Sequence, residues 1–143
     1  MELKEAYDYL LSARRISDEI WRKDLRRQEL RACLLPAAVT YDKDRVQTMP
    51  EDSMAKVMAE VADLDSQIVE LQKRRALRIL ELSELIDRLE DSREAAILDA
   101  YYLGGRSMTE IADHLHYTLQ HTYRLRRSGA GNMLNMLKES VVH

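Results

Sequence analysis

Apolar residues near the start of the chain recur every third or fourth position: Leu3, Ala6, Tyr7, Leu10, Ala13, Ile16, Ile20 and Trp21. Lys4, Asp8, Arg14, Arg15, Asp18 and Arg22 fill much of the rest. One apolar stripe among charges predicts a helix over residues 2–34. The stripe weakens beyond Leu25, which leaves the end of that helix open. Pro36 and Pro50 then bracket Thr40-Tyr41-Asp42-Lys43-Asp44-Arg45-Val46-Gln47-Thr48. Proline disfavours helix at the residue before it, so residues 36–52 read as an extended or irregular linker.

A second apolar series follows Asp52 and Ser53, either of which can cap a helix N-terminus. It runs Met54, Val57, Val61, Leu64, Ile68, Leu71, then Leu82, Leu85 and Leu89. Three-and-four spacing kept up for about five heptads predicts a coiled coil. Arg75 and Arg78 fall on the same seam. They mark either the end of the partner helix or a frayed contact. A single helix cannot bury this seam. The first helix can close it as an antiparallel hairpin, or a second copy can close it as a homodimer.

The last third of the chain has shorter elements. Ser92 can cap a helix carrying Ala95, Ile97, Leu98, Tyr101 and Tyr102, ended by Gly104-Gly105. Ser107-Met108-Thr109-Glu110 has capping-box spacing and starts a helix with Ile111, Ala112 and Leu115 inward. His116-Tyr117 makes a turn. Thr118 caps a third helix from Leu119, with Leu125 as its inward anchor. Two short helices, a tight turn and a basic second helix describe a helix-turn-helix. Gln120, Arg124 and Arg127 share one face, with Tyr123 beside it. Arg and Gln are the side chains that grip guanine and adenine edges in the major groove. The expected fold is all-α, with a helical hairpin or coiled coil over 1–90 and a helix-turn-helix domain over 91–143.

Composition agrees with helices. The 143 residues include only 4 Gly and 2 Pro, too few turn residues for a sandwich or barrel. The net charge is −3, yet residues 104–143 carry Arg106, Arg124, Arg126, Arg127 and Lys138 against Glu110, Asp113 and Glu139. The basic excess is local. Arg126 points away from the Gln120 face, which suits a phosphate or structural contact. Cys33 is the one cysteine, so no intramolecular disulfide can form. Its neighbours Ala32 and Leu34-Leu35 predict a buried, inert thiol. The start Met1-Glu2-Leu3-Lys4-Glu5 lacks the pattern of a signal peptide, and no apolar run reaches membrane-span length. The expectation is a cytoplasmic protein with no membrane partner. His114, His116 and His121 fit no common zinc spacing, and no nucleophile set or phosphate-binding glycine loop occurs. Neither an enzyme, a metal nor a cofactor is expected.

Residues 89–138 resemble region 4 of sigma-70-type factors. Leu89-Glu90-Asp91-Ser92-Arg93-Glu94, Ile97-Leu98 and Tyr101-Tyr102-Leu103 are similar to that family's lead-in helix, and Ser107 to Arg127 aligns without gaps to its helix-turn-helix. With the long first helix, the Tyr41–Thr48 linker and the coiled coil, nearly the whole chain resembles small phage and prophage proteins of Gram-positive bacteria thought to regulate transcription. The resemblance implies promoter DNA as ligand and bacterial RNA polymerase as partner. It places base-reading positions on Leu119, Gln120 and Arg124 and the cap on Thr118. Phosphate contacts are expected from Arg127 and Arg106. The sequence departs from the family at His116, where a turn glycine is usual, at Thr122, an inward position usually Ile or Val, and at Leu119, usually polar. Gly129 and Gly131 are expected to weaken the last helix by about 1 kcal/mol each relative to alanine. The competing expectation is a phage assembly, packaging or polymerase-binding protein that works through its coiled coil.

Overall fold

The computed structural model describes residues 3–35 and 49–142, and side chains within 4–35 and 49–139. Most of the expected linker, residues 36–48, lies outside the described residues. The described chain is helical, with no strand among the described residues. Helix α1 is Leu3–Leu34, α2 Glu51–Asp87, α3 Ser92–Leu98, α4 Met108–Leu115 and α5 Leu119–Val142. A π-helical turn, Asp99–Leu103, continues α3.

Two helix starts differ from expectation. The Met54 N–H donates to the Pro50 carbonyl at 2.9 Å, so α2 begins at Glu51 and Asp52 and Ser53 lie inside its first turn. Glu51 and Asp52 suit that place, since carboxylates oppose the positive end of the helix dipole. The cap of α3 is Asp91, not Ser92. Its carboxylate accepts the Arg93 N–H at 2.9 Å.

The chain forms two compact units, one of Met1–Ser17 with Arg74–His143, the other of Asp18–Lys73. The core of the first unit explains why. Leu10 and Ala13 of α1, Leu82 and Ile86 of α2, Leu98, Tyr102, and Ala130 and Met133 of α5 form one buried cluster. Helices α3 and α5 and the π-helical turn therefore share their core with parts of the first two helices.

In this unit α1 and α2 are bonded in antiparallel order. The Tyr9 hydroxyl donates to Glu81 at 2.9 Å, Arg78 Nη1 to Ser12 Oγ at 3.0 Å and Arg75 Nε to Ser17 Oγ at 2.5 Å. Arg75 and Arg78 thus mark neither a helix end nor a frayed contact. They form a polar layer in the seam, met by hydroxyls of α1. Arg75 Nη2 also donates to the Leu103 carbonyl at 3.3 Å, and Arg14 Nη1 to the Tyr101 carbonyl at 2.6 Å. Carbonyls at a helix end lack intrahelical partners, and guanidinium groups suit the negative end of the dipole.

In the second unit Leu64, Ile68 and Leu71 are buried. Lys23 Nζ donates to Gln67 at 2.7 Å, and Arg27 and Arg31 pair with Asp65 at 2.8 and 3.1 Å. The order is again antiparallel. Two expectations fail here. Trp21 is 65% exposed, so the buried stripe stops short of it. Cys33 is exposed, because the last turn of α1 turns Arg31, Ala32 and Cys33 to solvent. No helix among the described residues is long and apolar enough to cross a membrane.

Candidate nucleic-acid interface

Helix α4 starts where expected. Ser107 Oγ accepts the Glu110 N–H at 3.2 Å. The Glu110 side chain pairs with Arg106 at 3.7 Å. Met108, Ile111 and Ala112 are buried. The helix ends at His116, whose φ of 59° and ψ of 39° are left-handed. The Tyr117 N–H reaches the Ala112 carbonyl at 3.0 Å and the His116 N–H reaches Asp113 at 3.3 Å. These are the two bonds of a Schellman cap, a place that favours glycine. Histidine holds it here, the one non-glycine at positive φ among the described residues.

Helix α5 starts at Leu119, after Tyr117 and Thr118. Thr118 Oγ1 accepts the His121 N–H at 3.1 Å, so Thr118 is the cap expected of it. The inward Thr122 is fully buried, and its hydroxyl donates to the Thr118 carbonyl at 2.9 Å. A buried hydroxyl with a partner costs little, so threonine is tolerated at this inward position. Leu125 joins Ile97, Met108 and Ile111 in a second buried cluster. With Thr122 and Leu125 turned inward, the helical period turns Gln120, Arg124 and Arg127 outward.

Those three side chains, with Thr118 and His121, line an open groove of about 350 Å³. Leu119 and Tyr123 are exposed as well, at 45% and 39%. Arg124 Nη2 lies 2.7 Å from His121 Nδ1. The His121 ring meets the Tyr117 ring edge-on at 5.1 Å. No Asp or Glu occurs between Asp113 and Glu139, so the sequence around this groove is wholly without acids.

The structure therefore gathers Thr118, Gln120, Arg124 and Arg127 but not Arg106. Arg106 lines a separate cavity of about 720 Å³ with residues that include Asp99, Glu110 and His114. Burial, and then the nearby Asp87, push the Asp99 carboxyl above its ordinary range. Arg126 has a structural place, 4.4 Å above the Tyr101 ring, which Arg14 also covers at 4.2 Å. Tyr102 is core and Tyr101 half-buried. Of the three histidines of this region, His121 lines the groove, and its spacing of three from Arg124 puts both on one side of the helix. Among the described residues no group of three His, Cys, Asp or Glu side chains is placed to hold a metal.

This all-helical chain belongs to the DUF1492 family, described as a protein of unknown function, which matches residues 39–135. That span takes in α2, α3, α4 and every residue of the groove. No curated protein and no solved structure matches the chain.

Proposed function

We propose that the protein is a sequence-specific, double-stranded-DNA-binding regulator of transcription. In this reading α4 and α5 are a helix-turn-helix of the sigma-70 region 4 type, and α1 and α2 are an antiparallel hairpin that supports it. The observation that carries the reading is the groove on α5, where Gln120, Arg124 and Arg127 stand exposed on one acid-free face.

An α-helix with its side chains is about 10–12 Å across and the major groove about 12 Å wide, so the first half of α5 fits within it. Gln120 and Arg124 read base edges. Leu119 meets a thymine methyl. Arg127 holds a phosphate, and Tyr123 rests beside it. Thr118 fixes where the reading helix begins. Arg106, 3.7 Å from Glu110, lines the other cavity and offers a second phosphate contact outside the groove. The resemblance to sigma factors adds bacterial RNA polymerase as a protein partner and a phage or prophage as the source of the gene.

The test is selection of duplexes from a random DNA library at about 0.15 M salt, where non-specific phosphate binding is weakened. The parent is expected to enrich one motif, and the Arg124→Ala/Arg127→Ala double variant to lose it. Equal enrichment by both proteins, or none by the parent, would refute the reading.

A further inference from the structure

We infer that His121 is a positioning residue that sets the base preference of Arg124, a step that rests on the DNA-binding reading above. The two side chains stand one turn apart on α5, with Arg124 Nη2 2.7 Å from His121 Nδ1. A guanidinium can only donate. In this pair His121 Nδ1 is therefore the acceptor.

The ring is itself held. The Tyr117 ring meets it edge-on at 5.1 Å. The support runs from the Tyr117 ring through the imidazole to the guanidinium. An arginine on a long flexible stem loses rotamer freedom when it reads a base. A partner that fixes one of its nitrogens beforehand removes part of that loss and aims the remaining donors. Bidentate reading of guanine needs two donors, and the guanidinium has five N–H bonds. One Nη2 hydrogen on His121 leaves the pair along the opposite edge free for the base.

Two substitutions separate the acceptor from the ring. His121→Phe keeps an aromatic ring against Tyr117 and removes the acceptor. His121→Asn removes the ring and puts an amide oxygen where Nδ1 stood. Discrimination at the base pair contacted by Arg124 is measured against single-base variants of the selected motif. The expected result is a loss of about tenfold in His121→Phe, the equivalent of about 1.4 kcal/mol, with most of it restored in His121→Asn. In the Arg124→Ala background neither change should alter discrimination further. Unchanged discrimination in His121→Phe, with a motif enriched by the parent, overturns the inference and leaves the DNA reading standing. Failure of the parent to enrich any motif overturns both. A readout free of DNA is the ¹⁵N spectrum of the imidazole ring: a bare Nδ1 and a protonated Nε2 are expected, and the opposite tautomer refutes the inference.

Discussion

Gly129 of α5 lies directly against Glu94 of α3: a β-carbon on Gly129 would come within 3.1 Å of the Glu94 Cβ and 3.0 Å of Leu98 Cδ1. The two helices cross closely there. Around that crossing Glu94 is buried, and its carboxylate accepts bonds from Ser128 Oγ at 2.7 Å and Asn132 Nδ2 at 3.0 Å. The sequence alone makes both glycines of α5 look like weak points. The crossing shows that one of them is required.

The two glycines should therefore respond in opposite directions to the same change. Gly129→Ala forces buried neighbours apart and should destabilise by about 1–3 kcal/mol. A β-carbon on Gly131 meets nothing within 4 Å, and Gly131→Ala should stabilise by about 0.5–1 kcal/mol. Urea unfolding of both variants gives the comparison. Equal effects of one sign would count against the packing at Glu94.

His116 carries the left-handed cap of α4 without glycine's freedom. The conformation costs a side-chain-bearing residue about 1–2 kcal/mol. Glycine's extra freedom in the unfolded chain returns about 0.5–1 kcal/mol of that. His116→Gly should then raise stability by about 0.5–1 kcal/mol, seen as a higher thermal midpoint. DNA selection should be unchanged, since His116 does not line the α5 groove.

Arg14 is bonded to the Tyr101 carbonyl at 2.6 Å and stacks on the Tyr101 ring. Arg14→Met keeps the aliphatic stem and removes the donor. The π-helical turn then loses a charged partner for one of its carbonyls. A loss of about 1.5–3 kcal/mol in urea unfolding is expected. A change of a few tenths would mean that water replaces the guanidinium without cost.

Tyr9 carries a pH dependence. Burial first, and then its hydrogen bond to Glu81, push its phenol from 10.0 up to about 12. The folded state favours the neutral phenol. Its contribution to stability is complete below pH 10.0 and is lost as pH rises through about 12. Phenolate absorbance should show late ionisation in the folded protein, and Tyr9→Phe should remove that step. A normal titration of Tyr9 would count against the bond to Glu81.

Much of this protein is local and was legible in its residues. Spacings of three and four predict α1 and α2 because a helix turns at a fixed period. Ser107 and Thr118 cap their helices because a hydroxyl reaches N–H groups two or three residues on. Once Leu125 is inward, Gln120, Arg124 and Arg127 must share the outer face, since α5 is one rigid helix. Distance along the chain hid the rest. Periodicity shows which face of a helix is apolar but not what meets it. The hydroxyls that receive Arg75 and Arg78 lie some sixty residues away in α1. The stripe through Trp21 has the right period, yet its last member is exposed among the described residues. Gly129 has its reason on another helix, and so has Arg126, which reads as one more surface cation until Tyr101 is placed beneath it. Each depends on contacts between residues far apart in sequence, which form only when the whole unit is assembled.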